Sequence, residues 1–388
     1  MTDSSNSVLG LIANYYEDYG CRARELHEQG RKVIGYLCAF TPVEIITAAG
    51  FIPFRIKGDV NEPITRADTQ METIICPVVR SAFDVTLKRR YGFLDGLVIP
   101  HACDSISRTY DIWKYSLDVP YSHLVNLPHS IDDSSLEFYK NELNTFRKSI
   151  GKYAGKEISD KDLAQAVELH NRIRTLIKEL YELRKSHPPL LTGSEMTKIL
   201  VAVMGIPAEE SIKLLPGVIK EIKNRADRPV EQPHRIMIVG AEVDDTAFID
   251  VIEDSGASVV VDDLCPGTRE YFPMAEVTAD PVDGIAERYL RKIKCGRTYR
   301  EVKGSYDESL DDRFGHIIQA VKEYRVDGVI LYIYMYCDPY GFEVPAIKDY
   351  IESKATPVLY IEDQYSQSTI SRLRTRVQAF LEMIGQGI

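Results

Sequence analysis

Residues 327–339, DGVILYIYMYCDP, open on Asp-Gly, run through strand-forming side chains and end on Cys337 followed by Asp338. Residues 95–105, DGLVIPHACDS, repeat that order and end on Cys103 and Asp104. One cysteine at the end of an apolar strand reads as a small buried hydrophobe. The same Cys-Asp ending occurring twice reads as a site. Thiolates are soft ligands, and thiolates without histidine neighbours suit iron–sulfur clusters better than catalytic zinc.

The other cysteines extend the pattern. Cys38 and Cys265 also fall at or just past the ends of expected strands, and Cys295 follows a helix and precedes Gly296. Cys76 immediately precedes a helix, where free backbone N–H groups and the helix dipole favour a thiolate. Cys21 lies within the N-terminal helix and reads as an ordinary thiol. No zinc-type C-x-x-C pair occurs. Two further residues have acid–base chemistry to offer. Glu44, at a helix start just beyond Cys38, is a candidate proton donor if partial burial raises its pKa; as a first-turn helix charge it is equally well explained. His101, two residues before Cys103, is placed to hydrogen-bond a cluster sulfur or transfer a proton, or to serve a structural role.

The elements that must position these residues alternate between strand and helix. KVIGYLC, FIPFRI, the Cys103 strand and VPYSHLVNLP form one set; HRIMIVG, ASVVVDDLC, the Cys337 strand and TPVLYIEDQY form a second in the same order. Helical patterns lie between the strands, which implies parallel sheets with right-handed crossovers. The expected fold class is α/β, with two Rossmann-like domains and a helical insertion. The expected boundaries are 1–131 for an N-terminal helix (8–30) and the first domain, 132–230 for the insertion and its linker, and 231–388 for the second domain. Ser159 is the expected N-cap of the longest inserted helix, and the insertion is expected to pack on the first domain. In open parallel sheets, ligands collect beyond the carboxyl ends of the strands, where four of the cysteines fall.

Bulk properties narrow the function. At 388 residues the chain exceeds one ordinary core, and a net charge of -11 with no basic stripe argues against a nucleic-acid partner. The acidic and polar N-terminus does not read as a signal peptide, and no apolar run approaches the ~18 residues of a membrane span. A cytoplasmic, reducing location is expected, with thiols rather than disulfides. GAEVDD lacks the dinucleotide spacing, and P-loop, H-E-x-x-H and G-x-S-x-G motifs are absent.

The stretches GYLCAFTPVEIITAAGFIPFRI, ICPVVRSAF, LDGLVIPHACDSISRTYDIW, DDLCPGTREYF and VDGVILYIYMYCDPYGFEVPAIKDYIESKATPVLYIEDQYS, with the closing RLRTRVQAFLEM, resemble the 2-hydroxyacyl-CoA dehydratase and benzoyl-CoA reductase superfamily. The resemblance spans nearly the whole chain in order. It implies an iron–sulfur enzyme in which a separate ATP-hydrolysing activator, carrying its own [4Fe-4S] cluster, delivers single low-potential electrons. Cys76, Cys103 and Cys337 match the cysteines that hold one [4Fe-4S] cluster in family dehydratase subunits. Cys38, Cys265 and Cys295 match the further cysteines of the double-cubane branch. A double-cubane [8Fe-9S] cluster, held by the two trios and shared between the domains, is therefore expected over a single [4Fe-4S]; the division into trios is an inference by subtraction. The expected assembly is a homodimer acting on a small-molecule substrate. The competing readings are one single-cluster subunit of a heterodimer with a related second chain, and a non-catalytic electron-storage protein.

Overall fold

A computed structural model describes residues 7–302 and 304–386. Residues 1–6, part of the stretch that argued against a signal peptide, lie outside it. The first sheet contains β1 (Val33–Tyr36), β2 (Ile52–Arg55), β3 (Gly96–Pro100) and β4 (Tyr121–Val125); the second contains β5 (His234–Gly240), β6 (Ala257–Asp263), β7 (Gly328–Tyr334) and β8 (Val358–Asp363). Their orders are β2-β1-β3-β4 and β6-β5-β7-β8, with every pairing parallel. In each sheet the first strand in sequence lies inside, with the second strand on one side and the third on the other. The connections therefore diverge between β1 and β3, and again between β5 and β7, which opens a crevice at the carboxyl ends. The two-domain α/β architecture of parallel sheets matches the expectation.

The helices of the first half are α1 (Val8–Glu17), α2 (Cys21–Glu28), α3 (Val43–Ala48), α4 (Pro77–Leu87) and α5 (Asp104–Ser116). The segment expected as one helix over 8–30 is broken at Gly20, which has φ +92° and whose Cβ position lies 3.1 Å from the Phe93 ring. Both conditions select glycine, and neither is visible in the amphipathic pattern.

The insertion comprises α6 (Asp133–Ala154), α7 (Asp160–Glu182), α8 (Gly193–Met204) and α9 (Ala208–Asn224). Ser159 caps α7 through a reciprocal box with Asp162. At 23 residues, α7 is about 35 Å long and reaches both halves. Leu163, Ala166 and Val167 join a core with Ile45, Ile46 and Val98 of the first half. Ile173, Ile177, Leu180 and Tyr181 join another with α8, α9 and Met237, Val239 and Val260 of the second sheet. The insertion thus packs on both halves, a correction to its expected packing on the first alone.

The second half adds α10 (Ala247–Asp254), α11 (Thr268–Tyr271), α12 (Pro281–Glu287), α13 (Tyr306–Glu323), α14 (Asp338–Ser353) and α15 (Ile370–Gly385). No helix among the described residues is long and apolar enough to cross a membrane.

Candidate functional site

The carboxyl ends of the two sheets meet at a cavity of about 880 Å³, its open mouth included, and Cys38, Cys76, Cys103, Cys265, Cys295 and Cys337 all line it. The elements bring them there in different ways. Cys76, Cys103 and Cys337 are the N-cap residues of α4, α5 and α14; none makes a side-chain capping hydrogen bond, and the nearby backbone N–H groups of the following turns act to lower their pKa values. Pro77 and Pro339, in the first turns of α4 and α14, start those helices without loss because the first N–H groups have no intrahelical partner. Cys38 lies two residues past β1 with φ +69°, a left-handed conformation that is costly for a residue with a Cβ. Cys265 lies two residues past β6, and Cys295 follows the wide helical turn Arg288–Lys292 after α12.

All seven cysteines are free thiols. Burial pushes Cys76 up to about 11 and Cys103 and Cys265 up to about 12, and it raises Cys38 and Cys337 well above the ordinary thiol value. At Cys76 burial outweighs the helix N–H groups, so the expected thiolate requires a bound cation. Neighbouring thiols add to these shifts in a definite pattern. Cys38 is raised by Cys265 and Cys295, and Cys265 by Cys295; Cys337 is raised by Cys76 and Cys103, and Cys103 by Cys76. The influences that cross between these sets, Cys295 on Cys103 and Cys265 on Cys337, are smaller than those among Cys76, Cys103 and Cys337. These influences run mainly among Cys76, Cys103 and Cys337 and among Cys38, Cys265 and Cys295, with Cys103 and Cys337 also sensing Cys295 and Cys265.

This donor set fits an iron–sulfur group. No histidine lines the cavity. Among the described residues no three His, Cys, Asp or Glu side chains converge closely enough to hold one metal ion. Six soft donors spread around a wide cavity suit a group containing several irons. The remaining wall is largely apolar, formed by Leu37, Phe40, Ile56, Val79, Ala82 and Ile106 among others. Such a wall lowers the local dielectric and excludes water.

The two candidate acid–base residues do not line the cavity. Glu44 is fully buried and bonds Arg174 Nη2 at 2.5 Å and the Tyr289 hydroxyl at 2.9 Å. Burial alone would raise its pKa; Arg174, Arg288 and His170 outweigh that and hold it at about 2, contrary to the raised value expected of a proton donor. His101 packs edge-on against His129, with ring centroids 5.5 Å apart, and burial lowers its pKa.

Four charged residues at the site escaped the sequence reading. Glu242 lines the cavity two residues past β5, the position that Cys38 occupies past β1. Burial raises it to about 7 against the pull of Arg55, whose Nη2 donates to both carboxylate oxygens at 3.1 and 2.9 Å. Aligning the two repeats strand by strand would have found it. Arg269 donates from Nη1 to Cys265 Sγ at 3.2 Å, and the four-residue spacing at a helix start was its signal. The signal for Arg55 was an arginine inside the apolar strand FIPFRI, which requires a buried partner. Arg297 gave no signal beyond its nearness to Cys295.

Comparison with known proteins agrees with this architecture. Residues 38–384 match the family described as 2-hydroxyglutaryl-CoA dehydratase, D-component, so the match begins at Cys38. YjiM of Escherichia coli (strain K12) is 30% identical over 370 residues, covering 93% of both chains. The (R)-phenyllactyl-CoA dehydratase beta subunit of Clostridium sporogenes is 24% identical, covering 93% of this chain and 94% of its own. A benzoyl-CoA reductase subunit of Thauera aromatica is 26% identical, covering 97% of each.

Proposed function

Since the chain belongs to the 2-hydroxyglutaryl-CoA dehydratase, D-component, family, we propose that it is a low-potential iron–sulfur reductase holding a double-cubane cluster between its two sheets. The observation that carries this reading is the single cavity lined by six free cysteines. Cys76, Cys103 and Cys337 would hold one cubane, and Cys38, Cys265 and Cys295 the other. When bound, the cluster supplies single electrons at low potential to a small-molecule substrate. The chain's own residues do the rest: the apolar wall keeps water out, Arg269 holds the Cys265 sulfur in place, and Arg55 fixes the cavity-facing carboxyl of Glu242. ATP hydrolysis is assigned to a separate activator that docks at the cavity, in keeping with the lack of any P-loop motif in this sequence.

A second reading has its own support. Relatives are named as subunits of (R)-phenyllactyl-CoA dehydratase, benzoyl-CoA reductase and (R)-2-hydroxyglutaryl-CoA dehydratase. On that basis this chain would be one subunit of a heterodimer with a single [4Fe-4S] cluster on Cys76, Cys103 and Cys337. In the double-cubane reading the partner subunit is a second copy of this chain.

Iron and acid-labile sulfide counting on anaerobically purified protein separates the two. Cys265→Ser and Cys295→Ser should each lose about half the iron if a second cubane is present, because each removes a soft ligand. Full iron in both variants, with unchanged spectra, would leave the single-cluster subunit. A colourless, air-stable protein without iron would exclude both.

A further inference from the structure

Charge is distributed unevenly around the cavity. Beside Cys76 and Cys337 the positive groups are backbone N–H groups, Cys103 also feels Arg297, though less than Cys295 and Cys38 do, and the Asp338 carboxylate acts on Cys76 and Cys103. Beside Cys38, Cys265 and Cys295 lie three buried guanidinium groups, those of Arg55, Arg269 and Arg297. Arg269 is fully engaged: it bonds Cys265 Sγ, the carbonyls of Gly240, Asp263 and Lys294, and the Asp263 carboxylate. Glu242 acts on both trios, at Cys76 and at Cys265, and so does not distinguish them.

Arg297 is different. Its Nε donates to Ala102 O at 2.7 Å, and its Nη2 to Leu127 O at 3.1 Å and Pro128 O at 2.8 Å. The Phe40 ring lies 5.2 Å from its Cζ. These partners are neutral, and among the described residues no carboxylate pairs with its charge. The side chain is 6% exposed and lines the cavity, and its remaining nitrogen, Nη1, is buried without an acceptor. Arg55 also lines the cavity at 3% exposure; its Nη1 has no acceptor either, the Glu270 carboxylate oxygen standing off at 3.7 Å. An unsatisfied buried donor costs about 1–3 kcal/mol, more when charged. Two of them fixed at one wall, beside three thiols, are complementary to a soft anionic acceptor.

We propose that Arg55 and Arg297 donate N–H···S hydrogen bonds to the iron–sulfur group held by Cys38, Cys265 and Cys295, making that half easier to reduce than the half held by Cys76, Cys103 and Cys337. The inference rests on the double-cubane reading. The sign follows from the surroundings: reduction adds negative charge, which the unpaired Arg297 cation stabilises more at Cys295 and Cys38 than at Cys103, and which the Asp338 carboxylate opposes at Cys76 and Cys103.

The test uses the full-length, iron-loaded protein carrying arginine labelled with 15N in the guanidinium group. Pulsed electron paramagnetic resonance of the reduced wild type should show 15N coupling to the cluster, and Arg297→Lys should lose part of it at unchanged iron content. Redox titration should move one midpoint to lower potential in Arg297→Lys, further in Arg297→Gln, and leave the other midpoint in place. Should either Arg297 variant fail to fold or load, Arg55→Lys serves as the second variant and the wild-type coupling still decides. Iron-replete wild type without arginine coupling, or loaded variants with unmoved midpoints, would overturn the inference alone. Wild type with only one cubane's iron would overturn the double-cubane reading and the inference with it.

Discussion

Glu44 and Glu242 show how a buried carboxyl takes its properties from its partners. Glu44 sits next to the cavity in sequence, yet its side chain meets Arg174, 130 residues away, and Tyr289, 245 residues away. Nothing local announces such partners, which is why Glu44 was a plausible acid from the sequence and is a held anion in the fold. Its carboxyl is depressed from 4.5 to about 2. A depressed carboxylate contributes stability that is fully present above the unfolded value, near 4.5, and is lost as pH falls toward 2. Glu44→Gln should therefore cost about 3–5 kcal/mol at neutral pH, because Arg174 is left buried and unpaired. It should also flatten the acid limb of the stability profile while leaving the iron content of loaded protein unchanged. Urea unfolding of metal-free wild type and variant between pH 7 and pH 3 checks this. Parallel acid limbs in the two proteins would show that Glu44 contributes nothing through its charge.

At the scale of elements, three of the cysteines have a double duty, as ligand candidates and as N-caps of α4, α5 and α14. Serine is among the strongest N-cap residues, since its hydroxyl accepts from the second or third helical N–H. Cys76→Ser, Cys103→Ser and Cys337→Ser should then leave metal-free stability unchanged or raise it by about 0.5–1 kcal/mol, while each loses iron. Denaturation of the metal-free variants, paired with iron analysis after loading, separates the two duties. A variant that keeps its iron is not a ligand variant. The same elements show what was legible. Asp-Gly starts, apolar strands and Pro-started helices made the repeat readable; strand ends located Cys38, Cys103, Cys265 and Cys337, and helix ends located Cys76 and Cys295. The break at Gly20 and the reach of α7 across both halves were not readable, because each depends on residues distant in sequence: the Phe54 and Phe93 rings at Gly20, and Met237 and Val239 under α7. Glu242 was within reach, at the position of Cys38 in the other repeat, but an acid in place of a cysteine hid the equivalence.

For the whole molecule, the question is whether the bound group or the protein joins the halves. Protein contacts across the cavity are extensive. Arg55 pairs with Glu242, Arg297 bonds the carbonyls of Ala102, Leu127 and Pro128, Glu44 meets Tyr289, and Asn171 on α7 bonds the backbone of Ala275. Ser130 and Tyr299 form a parallel bridge between the halves, and the core residues of α7 are shared by both. None of these contacts is made through the bound group, so metal-free protein should stay compact, with a radius of gyration near the ~21 Å expected for a folded chain of this length. Stability should nevertheless fall on metal removal, because a group that binds only the native state adds free energy, about 2.7 kcal/mol at 100 times its Kd. For a chain of this length that corresponds to a Tm lower by a few degrees. Anaerobic chelation followed by X-ray scattering and calorimetry tests both halves of the expectation. An expanded metal-free particle would mean that the cluster itself holds the sheets together. An unchanged Tm after complete iron removal would mean that the six thiols do not bind the iron in the native fold.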